Sequence, residues 1–169
     1  MMMKVADLSE SYTVRKLVLD DVPMIFGLCR KNPQFYEHCP PFVTPQSIRD
    51  DMAALPPRKT VADKYYLGYF DAAQRLVAVM DLINHYPTEQ SAFIGFFMME
   101  KDLQGQGIGS RIITELSGSL KRRGCKFIRL GYVDGNLQSE AFWKKNRFTD
   151  TGLRDVQTDY TVVVMNRDL

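Results

Sequence analysis

The chain is poor in the residues from which structural staples are made. Its three cysteines, Cys29, Cys39 and Cys125, are an odd number with no CxxC pair, so neither a disulfide framework nor a zinc ribbon is expected. Only two histidines, His38 and His85, accompany them, and no metal is expected. No segment approaches the roughly 20 apolar residues of a membrane span. The N-terminal stretch "MMMKVADLSESYTVRKL" also lacks the apolar run of a signal peptide. These absences point to a cytoplasmic protein with no membrane partner. Charge of one sign is equally scarce: the net charge is +2, and the basic runs "KRR" and "KK" are two or three residues long. A nucleic-acid partner, which needs Lys and Arg clustered on one face, is therefore not expected.

What remains is ordinary material for a globular protein. At 169 residues with 45% hydrophobic content, the chain forms one domain, residues 1–169, with a sizeable core. "YTVRKLVL" (12–19) alternates as a half-buried strand does. "DDVPMIFGLCRKN" (20–32) opens with acidic residues and a proline, which start helices. "NPQFYEHCPPFVTP" (32–45) reads as a proline-rich loop carrying Phe35, Tyr36, His38 and Phe42. Thr44 and Pro45 then begin a second short helix. "KYYLGYF" and "RLVAVMDLI" form a hairpin across "DAAQ", and the apolar "SAFIGFFMM" (91–99) is a buried strand. A helix to about Arg123 carries Ile108, Ile112, Ile113, Leu116 and Leu120 on one face, with Gly124 placed to end it. "KFIRLGYV", a helix over "LQSEAFWKKN", and two final strands complete the chain. The order β-α-α-β-β-β-α-β-α-β-β predicts a three-layer α+β fold. Its mixed, mostly antiparallel sheet has about seven strands and four helices, with one parallel strand–helix–strand crossover over residues 91–133.

Between that crossover's first strand and its helix lies "DLQGQGIGSR" (102–111), with glycines at 105, 107 and 109. No lysine follows them as a Walker A loop requires. The third position of a GxGxxG fingerprint is Ser110, and the upstream hairpin contradicts a doubly wound sheet. Glycines ahead of a helix leave its first N–H groups free to cradle an anion; they also simply mark turns.

"QGQGIG" (104–109) is similar to the Q/R-x-x-G-x-G/A signature of the GNAT superfamily of acetyl-CoA-dependent N-acetyltransferases. "NLQSEAFWKKNRF" (136–148) resembles that family's second signature, Asn-x-x-Ala/Ser…Tyr-x-x-x-Gly-Phe. The resemblance implies transfer of an acetyl group from acetyl-CoA, as co-substrate, to a primary amine of a small molecule or peptide by direct attack in a ternary complex, and it admits a homodimer. It implies that the backbone of Gln104, Gly105, Gln106, Gly107, Ile108, Gly109 and Ser110 holds the CoA pyrophosphate. By the same resemblance Met98 and Met99 run beside the pantetheine, the Met99 N–H polarises the thioester carbonyl, and Asn136, Ser139, Phe142 and Trp143 contact the arm. The chain departs from the pattern at three points. Trp143 stands where many members carry an acidic Tyr, Phe93 where a Glu base often sits, and Arg147 where glycine precedes Phe148. The usual acid and base are thus missing, which leaves open a catalytically silent acyl-CoA-binding or sensing domain. Asp81, which interrupts an apolar strand, becomes the candidate base or amine anchor. Tyr36, His38, His85 and Tyr86 become candidate acceptor-binding residues, with "RDVQTDY" (154–160) opposite.

Overall fold

The computed structural model describes residues 2–169. Seven strands form one sheet: β1 (Thr13–Lys16), β2 (Lys64–Phe70), β3 (Leu76–Asn84), β4 (Ser91–Met99), β5 (Phe127–Val133), β6 (Thr149–Val156) and β7 (Thr161–Asp168). Their spatial order is β1-β2-β3-β4-β5-β7-β6. Only β4 and β5 pair in parallel, because a helical crossover rather than a hairpin joins them. The three-layer α+β architecture expected from the element order is the one found.

Among the described residues the α-helices number five, α1 (Val22–Cys29), α2 (Pro33–His38), α3 (Pro45–Ala53), α4 (Ile108–Arg122) and α5 (Leu137–Lys145). The unforeseen one is α2, which lies in the segment read as a loop. Pro33 occupies its first turn, where a missing N–H costs nothing. Its Phe35 ring meets Phe96 of β4 edge-on at 5.8 Å, so contact with the sheet sustains a turn and a half that propensity would not.

One face of the sheet packs on α4 through Ile112, Ile113, Leu116 and Leu120, which meet Leu67, Met80, Leu82, Ile94 and Leu130. The other packs on α1 and α3 through Val22, Ile25, Leu28 and Ile48, which meet Tyr66, Phe70, Val79 and Met98. Gly124, with φ +87°, ends α4 as its position suggested.

β4 carries the irregularity that matters. Its pairing with β3 slips between Asp81 and Leu82, so that Gly95 is an extra residue between Ile94 and Phe96. A bulge of this kind bends the strand. Beyond it, β4 no longer pairs with β5: the parallel register ends at Ile94 and Leu130.

Replacement of Leu116 by Ala, at a site with no solvent exposure, is expected to destabilise the fold by about 2–5 kcal/mol, read from the denaturant midpoint at unchanged m.

Candidate active site

The gap left where β4 and β5 part opens into a cavity of about 890 Å³. Phe96, Phe97, Met98 and Met99 form one side of it, and Gly131, Tyr132 and Val133 the other. At one end lie the glycine loop and the start of α5; at the other, α2 faces Asp155 and Tyr160 of the β6–β7 hairpin.

The exposed edge of β4 follows from its register. Glu100 N donates to Val77 O at 2.9 Å, and Met99 is the partner of Ala78. Successive antiparallel pairs alternate between bonded and non-bonded, so Met99 turns its N–H and C=O away from β3, towards the gap. The C=O accepts bonds from Asn32 Nδ2 at 3.2 Å and Gln104 Nε2 at 3.3 Å.

The loop is shaped by two left-handed residues, Gly105 (φ +77°) and Gly107 (φ +81°), a conformation that side chains with a Cβ resist. Arg111 N to Gly107 O, 3.1 Å, is the first bond of α4. The N–H groups of Ile108, Gly109 and Ser110 therefore precede any intrahelical acceptor, at the positive end of a 15-residue helix. Open space surrounds the Cβ positions of Gly105 and Gly107, whereas at Gly109 a Cβ would press on the Phe142 ring at 3.0 Å. The first two glycines leave room for an incoming anion; the third lets α4 pack on α5. An elongated molecule with a phosphate group fits this lining.

The model of the acetyltransferase (GNAT) family matches residues 30–148. The chain belongs to that family. Solved structures agree with it across nearly the whole chain. An acetyltransferase from Thermus thermophilus superposes with a TM-score of 0.73 at 19% identity, over 99% of this chain and 100% of that one. The PaiA N-acetyltransferase from Thermoplasma acidophilum, in complex with coenzyme A, gives 0.68 at 19%, over 95% and 100%. A spermidine N-acetyltransferase chimera from Vibrio cholerae gives 0.69 at 17%, over 94% and 96%. At these identities the likeness is one of fold. No curated protein matches in sequence.

In this acetyltransferase most of the residues expected to hold CoA line the one cavity: Met98, Met99, Gln104, Gly105, Gly107, Gly109, Ser110, Asn136, Ser139, Phe142 and Trp143. Gln106 and Ile108 do not. The Gln106 side chain turns back to Asp102 O at 3.1 Å, and Ile108 packs against the core. Asn136 caps α5 by accepting from Ser139 N at 3.1 Å. Trp143 is 8% exposed and sits between Phe97, Phe142 and Phe148, at centroid distances of 6.0, 4.9 and 5.2 Å. It is therefore a core residue with one edge on the cavity. Arg147, at the usual glycine position, adopts the left-handed conformation that explains the glycine, with φ +69°.

Among the residues expected to meet the acceptor, His38 lines the cavity, beside Phe35, Glu37 and Cys39. Four others lie elsewhere. Tyr36 packs edge-on against Phe35 and Phe42, at 5.0 and 5.4 Å. Burial, and then the neighbouring Cys29, push its hydroxyl above the usual phenol range. His85 is exposed in the β3–β4 turn, with Nδ1 2.6 Å from Glu89 O. Tyr86 meets Phe93 edge-on in the same turn, at 5.5 Å. Both follow the end of β3, which runs away from the gap.

Asp81 also stands off the cavity. The bulge in β2–β3 pairing near Val77 leaves Asp81 on the α1–α3 face with Val79, and its Oδ2 accepts from Lys64 Nζ at 2.9 Å. Lys64, which is buried, also donates to Ala54 O at 2.8 Å. A polar interruption in an apolar strand implies either a cleft or a buried partner; here the partner is Lys64. Burial holds the Asp81 carboxyl above its usual range against the opposing charge of Lys64. A Cβ on Gly95 would lie 2.9 Å from Asp81 Oδ2, so the carboxylate and the bulge glycine fit each other.

Sequence reasoning missed Asn32, Asp155 and Tyr160 as individual site residues. The neighbouring Cys39 thiol, and then burial, raise the pKa of the Tyr160 hydroxyl, and the two residues line the same end of the cavity.

Two outcomes are expected. Gly107→Val adds about 1–3 kcal/mol of backbone strain and places methyl groups where an anion would approach; acetyl-CoA affinity measured by calorimetry should fall at least about tenfold while the circular dichroism spectrum persists. Because the Asp81 carboxyl holds its proton more tightly folded than unfolded, its contribution to stability declines as pH rises through its folded pKa. Asp81→Asn should remove that part of the pH–stability curve, as followed by denaturant midpoints.

Proposed function

We propose that the protein transfers the acetyl group of acetyl-CoA to a primary amine of a small molecule or peptide, by direct attack within a ternary complex. The observation that carries this reading is the continuity of the cavity. It runs from the glycine loop through the gap between β4 and β5 to the α2 and β6–β7 walls, so donor and acceptor can reach one point from opposite ends.

Bound acetyl-CoA supplies an activated carbonyl and a thiolate leaving group. The N–H groups at the start of α4 and the loop glycines hold its pyrophosphate, and Met98, Asn136, Ser139, Phe142 and Trp143 flank the arm. The Met99 N–H, turned away from β3, donates to the thioester oxygen and stabilises the charge that develops there. The acceptor amine enters past Phe35, His38 and Tyr160. An ordinary alkylamine titrates near 10 and must lose a proton to attack; Glu37, His38 and Asp155 are the ionisable groups on that end of the cavity able to accept it. No side-chain acid takes the place of Tyr at Trp143, whose indole donates hydrogen bonds without being an acid. A thiol with pKa about 8.5 can leave with little such help.

Incubation with acetyl-CoA and a panel of primary amines and short peptides should release CoA thiol and yield the acetylated amine. With acetyl-CoA alone the protein's intact mass should remain unchanged, since direct attack forms no acetyl-enzyme. Tight acetyl-CoA binding without turnover on any amine would favour a silent acyl-CoA-binding domain, and a protein 42 Da heavier, one acetyl group by mass arithmetic, would overturn direct attack.

A further inference from the structure

Asn32 lies where three parts of the site meet. It precedes α2, whose Phe35, Glu37 and His38 line the acceptor end together with Cys39 just after the helix. Its side chain is 6% exposed as part of the residue and is fully used. Nδ2 donates to Leu28 O and to Met99 O, both at 3.2 Å. Oδ1 accepts from Gln104 Nε2 at 2.7 Å. Gln104 opens the glycine loop, and Met99 ends the unpaired edge of β4.

Buried amides are retained where each of their polar atoms has a partner, and a lost partner leaves a buried group unsatisfied. Here the partners are the end of α1, the end of β4 and the cofactor loop. Past Leu130 no described strand pairs with this edge of β4, so the Met99 N–H and C=O have no strand partner on the gap side, while Glu100 N on Val77 O holds the chain to β3 from the other. Asn32 and Gln104 add a restraint on the gap side, at the carbonyl. Because N–H and C=O of one extended residue point to the same edge, an extended Met99 whose carbonyl is held on the gap side keeps its N–H turned there too.

We infer that Asn32 is a positioning residue for acyl transfer: it holds Met99 so that its N–H stays aimed at the thioester oxygen. Asn32 itself touches no reacting atom. The inference rests on the proposed role of the Met99 N–H, and the experiment separates the two. An N–H donor pulls electron density onto a bound carbonyl oxygen and lowers its stretching frequency. Isotope-edited infrared spectroscopy of acetyl-CoA labelled with ¹³C at the thioester carbonyl reads this directly, without an acceptor.

In the unaltered protein the band should lie below that of free acetyl-CoA. In Asn32→Ala, and in the smaller change Asn32→Ser, the band should move back toward the free position. Acetyl-CoA affinity should change less than about threefold, because the loop N–H groups that hold the pyrophosphate are untouched. Turnover on any amine accepted by the unaltered protein should fall at least about tenfold through kcat, with KM for acetyl-CoA little changed. Gln104→Ala, which leaves Asn32 on Met99 O, should keep most of the band shift and covers the case in which the Asn32 variants do not fold. A full shift retained in folded Asn32→Ala, or lost entirely in Gln104→Ala, would overturn the role of Asn32. No shift in the unaltered protein, with acetyl-CoA bound, would instead overturn the Met99 reading itself.

Discussion

Pairing between β4 and β5 stops at Ile94 and Leu130, and the site exists because of that stop. A fully zipped parallel pair would consume the backbone groups of both strands and close the space between them. The bulge at Gly95 bends β4 at this point, and the Asp81 carboxylate beside it leaves no room for a side chain there. The Lys64–Asp81 pair, at 2.9 Å, is thus part of the architecture of the opening although neither residue lines it.

An unpaired strand edge inside a protein needs other restraints, since buried peptide groups without partners cost about 1–3 kcal/mol each. The chain meets this need unevenly. At the tip of β4, Asn32 and Gln104 bind the Met99 carbonyl. Beside it the cavity wall is aromatic, with Phe97 of β4 and Phe142 and Trp143 of α5 in mutual contact. The result is a passage with one end governed by helix N–H groups and the other by ionisable side chains. That asymmetry suits a donor with a pyrophosphate and an acceptor with an amine.

Both family signatures report backbone requirements more than side-chain chemistry. Gly105 and Gly107 satisfy positive φ, and Gly109 satisfies close packing on Phe142. Arg147 shows that the left-handed position before Phe148 tolerates a side chain. Loss of the usual Tyr and Glu positions to Trp143 and Phe93 leaves this backbone framework intact, which is why the family remained readable while the acid and base did not.

Strands, the crossover, the α4 face and the glycine loop were legible in sequence because each rests on a local rule: alternation, helical spacing, or the conformational demand of a glycine. The short helix α2 was not, since tertiary contacts such as those of Phe35 with Phe96 and Tyr36 with Phe42 sustain it. Asp81 showed why a polar residue in an apolar strand is ambiguous: its partner, Lys64, lies 17 positions away and is identified only by strand register. Asn32 was invisible for the same reason, with Met99 and Gln104 lying 67 and 72 positions downstream. The sequence alone determined the shape of the glycine loop ahead of α4, because that loop is made of contiguous backbone. Tertiary structure alone decided which side chains share the cavity, because that depends on a bulge and a strand register that bring distant residues together.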